Sequence, residues 1–299
     1  MGYSASGEQW QISAGGHEAT VVEVGGGLRE YTVDGVPQIL GYAADVPAPS
    51  SAGAQLVPWP NRIRDGRYTF GGVTQQLPLV EPKLGNASHG LLRWASWRCV
   101  SVERAAVTLE CTVNPQSGYP HRLSVSTRYE VSTRGLAVSH EVTNTGVDEA
   151  PFGFGAHPYL YVDGATVDEL ELHLPGARER VLTDARSLPV GREDVAGTEF
   201  DFSLPRRVGA LELDTAFSGV DGPVTLSTSD GRGVSLWMDE GFRWVQVFTS
   251  DVLPPPRRRR AVAVEPMTCP ADAFNSGEDL LVLAPGENWR GSWGISPLG

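Results

Sequence analysis

Apolar and polar residues alternate with a period of two along several stretches of the chain. Between Leu123 and Ser132 every second residue is Leu, Val, Thr or Tyr, and Ser, Arg or Glu stand between them. The pattern returns from Leu136 to Val142, after the turn pair Arg134-Gly135, and it is also present from Val107 to Val113. Successive side chains of a strand point to opposite faces, so this period predicts half-buried strands. No segment shows an apolar face at helical spacing over three turns.

Turn signals recur between the alternating stretches. They are the pairs Asp34-Gly35, Asp65-Gly66, Gly71-Gly72, Asp163-Gly164, Asp221-Gly222 and Asp230-Gly231. Such pairs between strand patterns are typical of hairpins, and many hairpins in one chain indicate a β-sandwich or barrel. We therefore predict an all-β fold. No linker divides the sequence, so residues 1–299 are expected to form a single domain.

One segment breaks the strand pattern sharply. Residues Leu253 to Arg260 read LPPPRRRR, and a run of three prolines is incompatible with a central strand because proline has no N–H to donate. This segment is predicted to be a solvated surface loop.

Composition and charge exclude several classes of function. The 299 residues include 24 Lys and Arg against 36 Asp and Glu, a net charge of −12, which disfavours binding to nucleic acid. No apolar stretch approaches the roughly 18 residues of a membrane span, and no secretory signal is apparent at the start. The three cysteines are too few for a disulfide framework, so a cytoplasmic location is expected.

Metal and cofactor motifs are also missing from the sequence. The six histidines and three cysteines show no HExxH or paired CxxC spacing, which argues against a metal. Gly25-Gly26-Gly27 lacks the Lys and Ser or Thr of a phosphate-binding loop and is expected to be a tight turn. The sequence predicts no cofactor.

Four short segments combine rigid turn residues with groups that titrate or form hydrogen bonds. They contain Asn61-Arg62, His89-Gly90, His157-Pro158-Tyr159 and Glu265-Pro266. Proline after His157 and after Glu265 forces the preceding residue into an extended conformation, so each side chain is expected to stand off a strand end. A carboxylate and an imidazole with ordinary pKa values can act as base and acid near neutral pH.

The neighbours of these groups suit a sugar. Trp59, Trp94 and Tyr159 could cover the apolar face of a sugar ring. Asn61, Arg62 and Asp214 offer hydrogen bonds to its hydroxyls, with Asp214 lying between the last two segments in sequence.

The order of these motifs along the chain resembles that of the aldose 1-epimerase (mutarotase) family. The resemblance spans roughly residues 56–278 and the closing segment around Leu280 to Glu287. It implies the large antiparallel supersandwich of galactose mutarotase-like proteins. It also implies a small sugar as the binding partner, a cofactor-independent exchange of the α and β anomers of a free aldohexose, and a monomer or homodimer.

The resemblance also implies residue roles. Glu265 would be the general base that removes the proton from the anomeric hydroxyl O1, and His157 the general acid that protonates the ring oxygen O5. His89 would be the second histidine near these oxygens. Arg62 and Asp214 would bind sugar hydroxyls.

Two departures from the galactose mutarotase pattern leave the identity of the sugar open. Leu91 stands where many of those enzymes have a second glycine after His-Gly, and Leu160 follows the His-Pro-Tyr turn where many have Asn. The pair Arg93-Trp94 also points to a different substrate. Trp94 is expected either to contact the sugar or to pack in the core with Trp97.

Other functions remain open on the sequence alone. Epimerisation of a hexose 6-phosphate needs arginines that converge on the phosphate, and Arg64, Arg67, Arg93 and the run 257–260 are the candidates. A glycosidase would use Asp214 and Glu265 as its carboxyl pair, which leaves both histidines without a task. A non-catalytic carbohydrate-binding protein would bind sugar without accelerating its reaction.

Overall fold

The structure is a computed structural model that describes residues 4–298, and its regular elements are almost entirely strands. The first fourteen strands are β1 (Gln9–Ala14), β2 (His17–Val22), β3 (Leu28–Val33), β4 (Val36–Pro37), β5 (Gln55–Leu56), β6 (Arg62–Arg64), β7 (Arg67–Phe70), β8 (Val73–Gln76), β9 (Asn86–Ser88), β10 (Arg98–Val102), β11 (Ala106–Val113), β12 (Leu123–Ser132), β13 (Gly135–Asn144) and β14 (Ala150–Phe152). The remaining strands are β15 (Gly155–Ala156), β16 (Tyr159–Leu160), β17 (Glu171–His173), β18 (Glu179–Thr183), β19 (Pro189–Asp194), β20 (Arg206–Arg207), β21 (Asp214–Ser218), β22 (Val224–Ser227), β23 (Gly233–Met238), β24 (Trp244–Phe248), β25 (Val262–Met267), β26 (Leu281–Leu283) and β27 (Asn288–Leu298). Helical structure is limited to one turn of α-helix, α1 (Ala273–Ser276), and two 3₁₀ turns, Pro49–Ser51 and Val167–Glu169.

Two large antiparallel sheets dominate the fold. The first has nine strands in the order β10-β11-β12-β13-β27-β23-β22-β17-β20. The second has the order β19-β18-β21-β24-β25-β15-β5, with β16 as an additional partner of β25. A four-stranded meander, β1 to β4, forms a further sheet. The predicted all-β antiparallel sandwich is confirmed.

The period-two stretches form the centre of the nine-stranded sheet. Strands β11, β12 and β13 are consecutive neighbours, and the turn predicted at Arg134-Gly135 joins β12 to β13. In β12, the side chains of Leu123, Val125, Thr127 and Tyr129 are fully buried, whereas the residues that alternate with them are only partly covered or exposed. The alternation arises because one face of this sheet packs against the core while the other faces solvent.

The core joins the two large sheets in one continuous hydrophobic cluster, which includes Val125 of the first sheet and Val245 and Val264 of the second. Aromatic contacts cross the interface, and the rings of His140 and Phe154 lie 4.3 Å apart between centroids. Each buried apolar side chain contributes roughly 1.5–3 kcal/mol relative to exposure. Burial of this kind makes the second sheet a rigid support for the side chains that it carries.

The proline-rich segment lies outside the strands, as predicted, but its arginines are not all solvated. Arg259 pairs with Asp168 and Asp251, and Arg257 donates to the carbonyl oxygens of Leu40 and Gly41 at 3.2 and 2.9 Å. The prediction of a solvated loop is therefore wrong for these two side chains, because the backbone around them brings acceptors within reach. Between residues 4 and 298, no helix has the length and apolarity that crossing a membrane requires.

Candidate active site

A cavity of about 250 Å³ is lined in part by strands β21, β24 and β25 of the second large sheet. It brings together seven of the nine side chains that the sequence analysis proposed for catalysis or sugar binding. These are Asn61, Arg62, His89, His157, Tyr159, Asp214 and Glu265.

The meeting of His157 and Glu265 follows from an interruption in the sheet. Glu265 lies in β25, and the neighbouring strand is split into β15, which pairs with Met267, and β16, which pairs with Val262 and Ala263. His157 and Pro158 form the break between these two pieces. The N–H of Val264 donates to the Pro158 carbonyl at 3.2 Å, so the break lies beside Glu265.

Proline at position 266 is compatible with this arrangement although β25 lies inside the sheet. The N–H of Val264 points toward the interrupted side, and a residue two positions further along a strand faces the same side. An N–H at position 266 would therefore point toward the side where the neighbouring strand is broken, and this is why a proline, which has no N–H, is compatible with the strand. Glu265 itself lies within a strand, paired with Gln246, so the expectation that it stands at a strand end is wrong.

The two candidate catalytic groups are close and buried. Glu265 Oε1 lies 3.3 Å from His157 Nε2, and the side chains are 3% and 6% exposed. Glu265 Oε2 and His157 Nδ1 are buried without a hydrogen-bond partner in the described part of the chain. Buried polar atoms are normally paired, and a site that binds a polar ligand is a recognised exception.

Burial shifts both groups away from their ordinary acidities. It raises the pKa of the Glu265 carboxyl well above its usual value; the negative charge of Asp214 acts in the same direction, and Arg62 opposes it. Burial lowers the pKa of His157 to about 4, and the positive charge of Arg93 adds to this effect. The ordinary pKa values assumed from the sequence therefore do not hold in the cavity, because a low dielectric penalises both charged forms.

His89 reaches the cavity from a tight turn. Strands β6 and β9 pair up to Arg62 and Ser88, and the next two residues, Asn61 and His89, both have left-handed backbone with φ of 51° and 59°. The His89 N–H donates to the Asn61 carbonyl at 2.8 Å, so the two segments stay in contact one residue beyond the paired strands. The His89 ring lies 5.4 Å from that of His157, and burial lowers its pKa well below the ordinary value.

The glycine after His89 has a steric reason. Gly90 has φ of +68°, and a Cβ at this position would lie 2.1 Å from the backbone oxygen of Val57. Only glycine allows the two backbones to approach this closely. The His-Gly motif therefore sets the position of the His89 ring.

Arg62 is held in place by a carboxylate that the sequence reading missed. Its Nε and Nη2 donate to the two oxygens of Glu81 at 2.9 and 3.0 Å, a bidentate pair that fixes the guanidinium plane. Its Nη1 lies 3.9 Å from Asp214 Oδ2. Gln246 donates to Asp214 Oδ1 at 2.7 Å, so the two acidic residues and Gln246 form a polar wall around Arg62.

Tyr159 forms the apolar floor of the site. Its ring stacks on that of His157 with centroids 5.0 Å apart, and its hydroxyl donates to the Ser50 carbonyl at 3.3 Å. Burial raises the pKa of this phenol above its ordinary value. The hydroxyl is therefore a hydrogen-bonding group that stays protonated at neutral pH.

Two tryptophans predicted to face the sugar do not line the cavity. Trp59 is 2% exposed and packs against Phe274 in the core. Trp94 is 51% exposed, so it neither lines the cavity nor packs in the core with Trp97. Its ring lies 5.6 Å from the guanidinium carbon of Arg93, which does line the cavity.

Sequence reasoning missed Glu81, Gln246 and the serines of the Pro49–Ser51 turn, all of which line the cavity. Glu81 precedes a proline as Glu265 does, and this was the one signal that could have drawn attention to it. Gln246 lies in an alternating strand pattern and carries no local signal. Its place at the cavity follows from its position opposite Glu265 on the neighbouring strand.

The chain matches the family model for aldose 1-epimerase over residues 8–296. It is 34% identical over 289 residues to the uncharacterized protein YihR of Escherichia coli K12, with 95% of this chain and 92% of that protein covered. It is 28% identical to a maltose epimerase of Levilactobacillus brevis, with coverage of 75% and 72%.

Two solved structures share the fold of this chain. The aldose epimerase homologue of C. elegans superposes with a TM-score of 0.87 at 21% identity, covering 97% of this chain and 98% of that one. The galactose 1-epimerase of Lactobacillus acidophilus superposes with a TM-score of 0.80 at 22% identity, covering 95% and 92%. Family match and fold lead to one conclusion: this chain is a member of the aldose 1-epimerase family.

Proposed function

We propose that the protein is a mutarotase that interconverts the α and β anomers of a free aldose by opening and reclosing its ring. The observation that carries the proposal is the 3.3 Å approach of Glu265 Oε1 to His157 Nε2 inside a cavity lined by hydroxyl-binding groups. O1 and O5 of a pyranose share one carbon, so a base and an acid that act on them must be neighbours.

In the proposed reaction Glu265 removes the proton from O1 while His157 delivers a proton to O5, and the C1–O5 bond breaks. The product is an open-chain aldehyde, with Glu265 protonated and His157 neutral. Rotation about C1–C2 presents the other face of the carbonyl group, and ring closure returns both protons. Each positioned group typically contributes about 10²–10⁴-fold.

The shifted pKa values of Glu265 and His157 affect the steps of this reaction. Ring opening moves one proton from His157 to Glu265 through the sugar, so the pair changes from two charged groups to two neutral ones. Burial favours the neutral form of both, since it raises the pKa of Glu265 and lowers that of His157. Once the pair is in its charged form, the environment therefore favours the opening step and opposes the closing step by the same amount, and the net charge of the pair remains zero throughout.

The remaining polar groups suit roles in binding. Arg62, held by Glu81, and Asp214, held by Gln246, present fixed donors and acceptors at the cavity wall. His89 lies beside His157, and its Nδ1 is buried without a hydrogen-bond partner among residues 4–298, in reach of a ligand at the same centre. The protein is expected to act in the cytoplasm as a monomer or homodimer.

The test is proton NMR or polarimetry on freshly dissolved α-glucose, α-galactose, α-xylose and α-maltose, with and without protein. Maltose belongs in the panel because a second cavity, lined by Phe200 and Glu212, shares Asp214, Phe248 and Val252 with the first. Faster approach to the anomeric equilibrium that is lost in Glu265→Gln supports the proposal. Binding without acceleration, or release of product from a chromogenic glycoside, would replace it with a binding module or a glycosidase.

A further inference from the structure

A second cavity adjoins the first along the same sheet. Its volume is about 500 Å³, within the roughly 300–1,000 Å³ that ligand sites span. The two cavities share the side chains of Asp214, Phe248 and Val252, so a ligand in one can reach the other. The proposed catalytic pair accounts for the first cavity, whereas the second has no task in a reaction on a single sugar ring.

The second cavity forms where two strands of the sheet separate. Strands β18 and β21 pair at only two positions, and Arg180–Phe217 is the pair nearer to the cavity. Residues of both strands line the space beyond this pair. One hydrogen bond, from Thr215 Oγ1 to the Val181 carbonyl at 2.6 Å, still joins them there. The opening is therefore a gap between strands that are themselves held in the sheet.

The walls of the second cavity combine apolar surface with hydrogen-bonding groups. Phe200 and Phe248 are half-buried, and the guanidinium carbon of Arg180 lies 3.4 Å from the centre of the Phe200 ring. Thr183 and Glu212 are exposed and offer a hydroxyl and a carboxylate. Aromatic surface beside a few polar groups is the usual lining of a small-molecule site, and it suits the faces and hydroxyls of a sugar.

The charge of the second cavity disfavours an anionic ligand. Among residues 4–298, one arginine lines it, Arg180, and Glu193 neutralises this guanidinium at 2.6 Å. Glu212 and Asp214 present carboxylates to the same space. These negative charges repel an anion, whereas the O–H groups of a neutral sugar can donate hydrogen bonds to them.

The order of strands fixes which part of a bound sugar faces the second cavity. Across the sheet, β15 and β16 are followed by β25, β24, β21 and β18. The flanking pairs place His157 opposite Glu265, and Gln246 lies opposite Glu265 on its other side. Asp214 follows on β21, and Thr183 lies on β18 beyond it. A path from His157 through Glu265 to Asp214 therefore leads to the second cavity.

The proposed mechanism converts this order into a position on the sugar ring. His157 acts on O5 and Glu265 on O1, and both oxygens are bonded to C1. From C1 the ring continues to C2 on the side away from O5. The hydroxyls of C2 and C3 therefore face Asp214, whereas C6 lies on the side of His157.

Resting on the proposed function, we infer that the second cavity is a subsite for a neutral sugar unit attached to O2 or O3 of the sugar whose ring is opened. The substrate class is then a reducing disaccharide with a 1→2 or 1→3 linkage. Such a linkage leaves O1 and O5 of the reacting sugar free, as ring opening requires. A unit attached at C6 would point away from the second cavity.

The experiment measures anomer exchange by NMR at equilibrium for glucose, kojibiose, nigerose and isomaltose. The second glucose unit of these three disaccharides is joined by a 1→2, a 1→3 and a 1→6 bond, respectively. We expect kcat/KM for kojibiose or nigerose to exceed that for glucose by about tenfold or more, mainly through KM, which is within the range of one charge-assisted hydrogen bond. Isomaltose should show no such gain, because its second unit lies on the opposite side.

Thr183→Trp tests the subsite by filling the second cavity from an exposed position. Thr74→Trp is the matched control, since Thr74 is an exposed strand residue outside both cavities. The ratio of kcat/KM for the favoured disaccharide to that for glucose should fall about tenfold in Thr183→Trp and stay unchanged in Thr74→Trp. If Thr183→Trp does not fold, Glu212→Ala decides instead, because it removes an exposed carboxylate and should lower the same ratio.

The inference is overturned if neither kojibiose nor nigerose exceeds glucose, if isomaltose gains as much as they do, or if the deciding variant has the same ratio as Thr74→Trp. If no sugar is turned over, the proposed function fails, and calorimetric titration with kojibiose and nigerose then decides the inference separately. Binding that is weakened in the deciding variant would support it. Absence of binding, or equal binding in that variant and in Thr74→Trp, would refute it.

Discussion

Glu265 and His157 show how the environment of a side chain changes its chemistry. In water the carboxyl and the imidazole have ordinary pKa values of 4.5 and 6.5, and burial shifts these values in opposite directions. Because the two groups are 3.3 Å apart, they titrate as one unit and not as independent sites. The form with a single shared proton is the one that can open a ring.

The pH profile of kcat/KM should therefore be bell-shaped, with protonation of His157 causing the fall at low pH and deprotonation of Glu265 causing the fall at high pH. Below a pH of about 4 the pair binds a second proton, at His157, and activity falls. On the alkaline side the pair loses its one proton at the raised pKa of Glu265, well above the ordinary carboxyl value. Rates measured from pH 3 to 10 check this, and a flat profile over that range would contradict it.

Replacing His157 with Asn tests the assignment of the acid limb. The amide keeps much of the shape but cannot carry the proton to O5, so kcat should fall by about 10²-fold or more. The residual activity should lack the limb near pH 4. If that limb persists unchanged in His157→Asn, another group causes it.

Glu265→Gln should reduce kcat by about 10²–10⁴-fold, since an amide cannot accept the O1 proton. The same change should stabilise the fold above the raised pKa of Glu265, because a buried carboxylate is no longer required. The raised pKa means that the wild type loses stability as pH rises through it, whereas the Gln variant does not. Thermal unfolding at pH 5 and pH 9 measures this, and a pH-independent difference in melting temperature would refute it.

Strand interruptions and tight turns, rather than regular ladders, position the active groups. The break between β15 and β16 presents His157, and the left-handed turn after β9 presents His89. The turn at His89 depends on a close backbone approach at Gly90 that a larger residue would prevent. The strands on either side supply the rigidity that holds these irregular points in place.

Gly90→Ala should therefore damage both stability and activity. The added Cβ meets the Val57 backbone oxygen at 2.1 Å, in addition to the cost of a left-handed alanine. Gly72→Ala is the matched control, because Gly72 has φ of +78° but open space around its Cβ position. The control should lose about 1–2 kcal/mol, and Gly90→Ala clearly more, with a lower kcat because His89 moves. Equal losses in denaturant unfolding would show that the contact with Val57 is unimportant.

The packing of the two large sheets also makes the stability of the whole molecule sensitive to acid. His140 lies on β13 in the core, where Trp293 donates to its Nε2 at 2.8 Å and Thr127 bonds its Nδ1 at 2.9 Å. Burial lowers its pKa to about 3. Protonation at Nε2 would break the bond from Trp293 and place a charge between the sheets.

Stability should thus fall as pH decreases from about 6.5 toward 3, because His140, His157 and His89 all bind protons more readily when unfolded. One pKa unit corresponds to about 1.4 kcal/mol, so His140 alone contributes several kcal/mol over this range. His140→Gln should flatten the dependence of the unfolding free energy on pH without removing it. An unchanged slope would exclude His140 as a source.

Alternation along β11, β12 and β13 was enough to predict the all-β antiparallel fold, because the period of side chains on a strand is a local property. The order of motifs likewise indicated the family and seven of the cavity residues. The extent of a single domain, the natural sugar and the roles of individual residues remain predictions.

Tertiary structure decided what depends on distance through space. Only the folded chain shows that Glu81, Gln246 and Arg93 line the cavity and that Trp94 does not, because the segments that form it lie far apart in sequence. The acidities of Glu265 and His157 were set in the same way. Burial and charge–charge distances act across the folded molecule, whereas a sequence pattern records only neighbours along the chain.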